Sequence, residues 1–393
     1  MKRKVYGDLR PPDMLLLGGG PSNTDPKVLR ALSAPIVEHL DPYFLEVMSE
    51  TVELLRYTFK TNNTITLPIS GTGSAGMESA ICNIVEKGDK VVVCINGYFG
   101  ERISEMVNRC GGKCVEVKSE WGRTIKKEDV EEALEKSNAK AVAIVHAETS
   151  TGVLQPLREI ARTAQEHDAF MLVDAVTSLG GCELDVDGWG IDVCHSASQK
   201  CLGCPPGLAP ITVSERVMKK IRNRKTKVQS WYFDLSLIEE YWMNRKYHHT
   251  APISLIYALR ESLRFLQEEG LESRWQRHKI NSVALISGVE ALGLEMFAEE
   301  GFRCPCLNSI SIPQGVREEN IRRILREEFN ITVGGGFGGL SGKIWRIGLM
   351  GVNSSQRNVV LFLEAFERAL KNEGYIYTLG AGVAAAEKSL SSL

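Results

Sequence analysis

Asp174 and Lys200 have the types and placement to act together. Asp174 closes the apolar run FMLVD, and Lys200 closes the string SASQK that follows a second run, IDVCH. A carboxylate at the end of a buried strand can keep a ring nitrogen protonated, and an amine in a desolvated site can act as nucleophile and proton carrier. Singly, each has an ordinary reading, as a helix-capping acid or a solvated lysine. A third feature joins them: GTGSAGMESAICNIVEKGD, from Gly71, opens a helical pattern with small residues. Such an opening leaves backbone N–H groups facing outward at the positive end of a helix dipole, where an anion binds. No Gly-Lys-Ser/Thr follows it, so it is not a nucleoside-triphosphate loop. Amine, acid and anion cup are the three parts that a pyridoxal phosphate enzyme requires.

Several further residues invite a chemical reading. Gly334, Gly336 and Gly339 fit G-x-G-x-x-G, but the following LSGKIWRIG reads as turn and strand. A dinucleotide site needs a helix at once, so a nicotinamide oxidoreductase is disfavoured. Gly18 to Gly20 precede Pro21 and read as a backbone turn. Cys201-x-x-Cys204 has no second pair to complete a metal set, so buried small side chains are expected and no metal site. His146 ends a strand pattern, where a structural, hydrogen-bonded role competes with one in a site.

The elements that must position these groups are written in the periodicity. Strand patterns run over Lys90 to Ile95, Lys113 to Val117, Ala141 to Val145, Phe170 to Val173, Asp192 to His195 and Leu208 to Val213. Helical patterns intervene at Lys127 to Lys136 and Pro156 to His167, the latter with Pro156 suited to a first helical position. This alternation predicts an α/β fold with a mainly parallel sheet, in which chemistry lies beyond the carboxyl ends of the strands. After residue 250 the pattern changes to long helices (Ile253 to Glu268, Glu272 to Ala291), strands at Leu307 to Ile312 and Lys343 to Gly348, and helices at Arg317 to Phe329 and Arg357 to Lys371. A smaller α+β domain is expected there. The predicted division is an arm over 1–13, a large domain over 14–273, a small domain over 274–376 and a frayed tail over 377–393.

The 393 residues carry 47 Lys+Arg against 49 Asp+Glu, which argues against a nucleic-acid partner. No apolar run is long enough for a membrane span or a signal peptide, so a soluble intracellular protein is expected, with its ten cysteines reduced and mostly buried. Cytoplasm is the favoured location. The final Ser391-Ser392-Leu393 only distantly resembles the S-K-L peroxisomal address, which is the alternative.

The ordered strings LLLGGGPSN, SGTGSAGMESA, NGYFGER, ETSTGVLQP, LVDAVTSLGG, SASQKCLGCPPG, RKTK, YHHTAP and WRIGLMG span nearly the whole chain. In that order they resemble the class V, fold-type I aminotransferases, specifically the alanine:glyoxylate and serine:pyruvate aminotransferases. The resemblance implies an aspartate-aminotransferase-like large domain, pyridoxal 5'-phosphate as cofactor and ping-pong transamination of alanine or serine with glyoxylate or pyruvate. It gives Lys200 the role of Schiff-base lysine and Asp174 that of partner to the pyridinium nitrogen. Thr72, Gly73 and Ser74 resemble the phosphate cup, supplemented by Ser198 and Gln199. Phe99 stands where the family commonly has a tryptophan stacked on the ring, and Thr149 resembles the hydroxyl residue near the ring oxygen. Arg346 resembles the arginine that grips the substrate carboxylate. Tyr247 and Thr250 are implied to reach the phosphate of a second subunit, hence a homodimer with shared sites, with His248 and His249 positioning them.

Two departures from the family pattern stand out. Gly18-Gly19-Gly20-Pro21 replaces a turn that more often has proline between glycines, which bears on how Gly20 meets substrate. Ser74 replaces a bulkier, often histidine, residue. Ureidoglycine:glyoxylate and phosphoserine transamination are the nearest alternatives. A cysteine desulfurase would need a nucleophilic cysteine on a loop, which the chain lacks by this reading.

Overall fold

The computed structural model describes residues 6–392. Residues 1–5 of the expected arm and Leu393 of the terminal tripeptide lie outside them. Seven strands form one sheet in the order Ile65–Ser70, Leu208–Val213, Val193–His195, Phe170–Asp174, Ala141–Val145, Lys90–Ile95, Lys113–Lys118. Leu208–Val213 runs antiparallel to both neighbours, and the remaining pairs are parallel. The sheet is therefore mixed and mostly parallel. The fifth strand in this order, Ala141–Val145, is buried at every position, as a continuous apolar run sandwiched by helices should be. Ile65–Ser70, absent from the sequence reading, contains Pro68; it is an edge strand, the place in a sheet that tolerates a residue without an N–H.

Parallel pairing puts strand ends side by side. Val145 registers with Asp174, and Asp174 with His195, so the chain leaves the sheet toward Lys200 beside the Asp174 carboxylate. The helix Gly73–Ile84 packs close on the same sheet because Gly76 lacks a side chain: a β-carbon there would stand 2.9 Å from that of Ala209. The helix predicted from Pro156 begins at Arg158 instead, leaving the proline two residues outside it.

A second sheet has the order Leu15–Leu17, Ile331–Gly335, Ile344–Gly348, Leu307–Ser311. Leu15–Leu17 pairs in parallel with Ile331–Gly335, so the segment just after the arm belongs to this sheet rather than to the large one. Its core holds the fully buried Trp345 edge-on to Phe366 at 5.3 Å, with Phe362 stacked on Phe366 at 5.1 Å. The expected frayed tail is corrected over Ala381–Ser391, which form a helix with Ala386 buried. Glu367, itself buried, accepts from the N–H groups of Gly380 (2.6 Å), Gly382 (3.0 Å) and Val383 (3.3 Å), capping that helix from 13 or more positions upstream. No described helix is long and apolar enough to cross a membrane.

Candidate active site

A cleft of about 500 Å³ opens where the strand ends of the large sheet meet the second sheet. Gly18 to Gly20, Thr72, Gly73, Ser74, Phe99, Thr149, Asp174, Gln199, Lys200 and Arg346 all line it. Residues drawn from seven separate segments thus share one cavity.

Lys200 is 7% exposed, and its Nζ donates to the carbonyl of Gly19. Burial, helped by the neighbouring Arg346 cation, brings its pKa down from 10.5 to about 8. Ser22 fixes the backbone beneath it, its N–H donating to the Gln199 carbonyl at 2.9 Å and its hydroxyl to that of Lys200 at 2.9 Å. The glycine triplet is dictated by this approach. Gly20 has φ +104°, and a β-carbon there would stand 2.7 Å from the Lys200 side chain; one on Gly19 would stand 2.8 Å from Arg346 Nη1.

Asp174 is 4% exposed, and its Oδ1 accepts from the N–H of Val176 at 2.8 Å. Its Oδ2 is 3.9 Å from His195 Nε2, where burial lowers the imidazole pKa against the pull of Asp174. The carboxylate thus has a fixed orientation and one oxygen directed at little else.

Thr72 is the N-cap of Gly73–Ile84, yet its side chain makes no capping bond. The Ala75 N–H turns back to the Thr72 carbonyl at 2.8 Å, which leaves those of Gly73 and Ser74 at the helix start to face the cleft with the hydroxyl. Arg102 Nη1 donates to Ser74 Oγ at 3.1 Å, placing a cation beside that helix end. Gln199 Oε1 is buried with no partner, an acceptor that asks for a donor in the cavity. Ser198, by contrast, does not line the cleft; its hydroxyl donates to the Pro205 carbonyl at 2.6 Å.

Arg346 is 4% exposed, with Nε donating to the Gly335 carbonyl at 2.7 Å and Nη1 to that of Thr149 at 2.9 Å. Burial lowers its pKa to about 10, opposed by Glu148. The Phe337 ring lies under the guanidinium at 4.0 Å. Thr149 Oγ1 shares a hydrogen bond with Thr177 Oγ1. Glu148, one residue before Thr149, is fully enclosed; burial raises its pKa, and its Oε1 accepts from the Ser150 hydroxyl at 2.6 Å.

Arg102, Val176 and Phe337 are among the cleft residues that escaped the sequence reading. Arg102 lies one helical turn after Phe99 and covers its ring at 4.8 Å, a neighbourhood that the i, i+3 spacing in NGYFGER already contained. Val176, two residues past Asp174, had the signal of a strand exit. Phe337 had none: it sits in the glycine run that mimics a dinucleotide fingerprint. There Ile331–Gly335 is a strand and Gly338–Leu340 a short 3-10 turn, with no helix, and Gly334 pairs with Arg346 in the sheet.

Tyr247 and Thr250 are exposed and do not line the cleft of their own chain. Tyr247 packs its ring against His39 at 5.2 Å. His249 Nε2 shares a hydrogen bond with Ser70 Oγ at 2.7 Å, His248 stacks on Trp231 at 4.3 Å, and the two imidazoles meet at 2.8 Å. His146 lies outside the cleft, edge-on to Trp189, and burial lowers its pKa to about 4.

Comparison with known proteins places this geometry in context. The aminotransferase class-V family matches residues 18–349. The chain is 40% identical over 382 residues to the (S)-ureidoglycine--glyoxylate transaminase of Bacillus subtilis (strain 168), covering 92% of each. It is 39% identical over 378 residues to the alanine--glyoxylate aminotransferase of Drosophila melanogaster, covering 95% of each. The crystal structure of an alanine--glyoxylate aminotransferase from Nostoc sp. superposes with a TM-score of 0.92 at 46% identity, covering 94% of this chain and 98% of that one.

Proposed function

The chain belongs to the class-V aminotransferases, and from that premise we propose that it moves an amino group from alanine or serine to glyoxylate or pyruvate in two half-reactions. The convergence of Lys200, Asp174 and Arg346 in one cleft carries this reading. The family's cofactor is pyridoxal 5'-phosphate, and the cleft suits it: an acid with one directed oxygen, an amine, an unpartnered amide oxygen and a helix N-terminus with a free hydroxyl. When bound, the cofactor supplies an electron sink conjugated to the amino acid Cα.

Each role follows from the surroundings. Asp174 would hold the ring nitrogen protonated, Thr72 to Ser74 would take the phosphate with Arg102 adjacent, and Phe99 and Val176 would bear on the ring. Arg346 has two of its nitrogens committed to backbone carbonyls, which aims the guanidinium while leaving Nη2 toward a substrate carboxylate. Lys200 would hold the cofactor covalently at rest; once released, its neutral amine is placed to carry the proton away from and back to substrate carbon.

The lowered pKa of Lys200 has a direct consequence. A base whose pKa falls from 10.5 to about 8 becomes neutral, and so nucleophilic, above about 8. Cofactor uptake by protein stripped of it should therefore rise with pH through about 8 and then level; a rise continuing toward 10.5 would contradict the buried, Arg346-flanked amine.

Transamination of ureidoglycine with glyoxylate is the second reading, favoured by the 40% identity to the B. subtilis enzyme of that name. A panel of alanine, serine and ureidoglycine against glyoxylate and pyruvate tests both. Turnover with alanine or serine is expected, whereas turnover confined to ureidoglycine would select the second reading and none at all would sink both. A desulfurase is opposed by the cleft itself, which no cysteine lines among the described residues.

We further propose a homodimer in which Tyr247 and Thr250 complete the partner's phosphate site. The support is the exposure of Tyr43 (59%), Trp231 (61%) and Tyr247 (58%), with Trp231 stacked on His248 beside Tyr247. Mixed dimers of a Lys200→Ala chain and a Tyr247→Ala chain should recover activity above either homodimer, because one of the two sites in each then has both residues intact; no recovery would refute shared sites.

A further inference from the structure

Arg346 is held along its edge and over its face. Nε and Nη1 donate to the carbonyls of Gly335 (2.7 Å) and Thr149 (2.9 Å). Glycines flank it, since β-carbons on Gly19 and Gly334 would stand 2.8 Å from Nη1 and 3.2 Å from Nη2. The flat face of the guanidinium is covered by the Phe337 ring, whose centre is 4.0 Å from Cζ. A ring on that face leaves the edge of the fork open. The contact therefore aims Arg346 without competing for the N–H groups that a carboxylate takes.

Phe337 is pinned in place although 39% exposed. It leads into the turn Gly338–Leu340, where its carbonyl accepts from the Leu340 N–H at 2.9 Å and the Leu340 side chain is buried. Gly336 has no room for a side chain, because a β-carbon there would run into the Leu340 carbonyl oxygen. The ring also meets those of Tyr98 at 5.6 Å and Phe99 at 6.4 Å, both from the helix Tyr98–Arg109. One aromatic residue next to the second sheet thus touches Arg346 and, from across the cleft, the residue expected against the cofactor ring.

Charge narrows what the cleft accepts. Among the described residues its charged lining groups are Arg102, Asp174, Lys200 and Arg346. Arg102 is committed to Ser74 at the anion cup, and Lys200 and Asp174 serve the cofactor. Arg346 is the cation left for substrate, enough for one carboxylate. Leu16, Val333, Phe337 and glycines line the cleft with it, so a second carboxylate or a phosphate on the side chain would be buried without a partner. A longer apolar chain incurs no such cost; what opposes it is the bulk of Phe337, set among glycines. We propose that Phe337 is a specificity-determining residue that positions Arg346 through its ring face and closes the space beside it to amino donors with more than a short, uncharged side chain. The proposal rests on the transamination reading and narrows its substrate class.

Phe337→Leu keeps an apolar side chain and loses the ring face. In the holoenzyme, the dissociation constant of propionate by calorimetry and KM for alanine should each rise by about 2- to 30-fold, a larger change than the fall in kcat. Phe337→Tyr, which keeps the face, should recover most of that loss. Phe337→Ala opens the wall: kcat/KM for norvaline relative to alanine should rise by about 10- to 200-fold, and longer monocarboxylates up to valerate should bind better than they do to the wild type. A norvaline-to-alanine ratio and a monocarboxylate series both unmoved in Phe337→Ala, or equal losses in the leucine and tyrosine variants, would overturn the proposal and leave the transamination reading standing. Wild-type turnover confined to ureidoglycine, whose side chain is longer than that of alanine, would overturn it too. Wild-type holoenzyme that transaminates no donor would refute the reading beneath it, and the proposal with it.

Discussion

Lys200→Ala is expected to lower kcat by about four orders of magnitude or more and to abolish the visible absorbance of the bound cofactor. Among the described residues Lys200 is the one lysine lining the cleft, and the other cations there, Arg102 and Arg346, carry guanidiniums rather than an amine. The variant removes both the covalent attachment and the proton carrier. Positioned acid–base catalysis alone contributes about 10²–10⁴-fold, and losing the nucleophile adds to it. Truncation also opens space against Gly19 and Gly20, where the side chain now runs. Small primary amines added to the medium should therefore restore part of the turnover, with a dependence on their basicity that a merely structural lysine would not show. Turnover and absorbance both persisting in Lys200→Ala would remove the residue from the mechanism.

Asp174→Asn carries the second large effect, an expected loss of about 10²–10³-fold in kcat. The change keeps the shape of the side chain and the Oδ1 bond from the Val176 N–H, so the fold should hold. What disappears is a buried negative charge opposite a ring nitrogen that must stay protonated. Removing one partner of a buried, hydrogen-bonded charge pair costs about 2–5 kcal/mol, which in a barrier corresponds to roughly 30- to 5,000-fold. His195 cannot substitute, because burial favours its neutral form. A cofactor analogue with a permanent positive charge on the ring nitrogen should recover much of the loss in Asp174→Asn while leaving the wild type little changed. Near-native kcat in the asparagine variant with the ordinary cofactor would show that the carboxylate is not needed for protonation.

The residues of the cleft depend on unequal amounts of tertiary information. Lys200 and Asp174 are legible because a parallel α/β sheet places its chemistry at strand ends, and apolar runs mark strand ends in one dimension. The cup at Thr72 to Ser74 is legible for the same local reason: a helix opening is set by the residues that make it. Arg346 was reached through resemblance alone, since an arginine inside the buried strand Ile344–Gly348 has no local signal for facing a cavity. The structure supplies the cause, a neighbouring Gly334 whose missing side chain leaves room for the guanidinium at 3.2 Å.

The sequence by itself determined six of the seven strands of the large sheet, the long helices after residue 250, the amine, the acid and the anion cup, because alternation of apolar residues, small helix-opening residues and turn glycines act over a few positions. Tertiary structure alone decided the rest. It gave Leu15–Leu17 to the second sheet, ordered Ala381–Ser391 on the Glu367 carboxylate, turned Ser198 away from the cleft and brought Phe337 under Arg346. It also gathered Cys182, Cys304 and Cys306 from positions as much as 124 residues apart. Such contacts depend on which surfaces the two sheets bury against each other. No periodicity within a short window encodes that choice, whereas close packing of the assembled chain fixes it to within a fraction of an ångström.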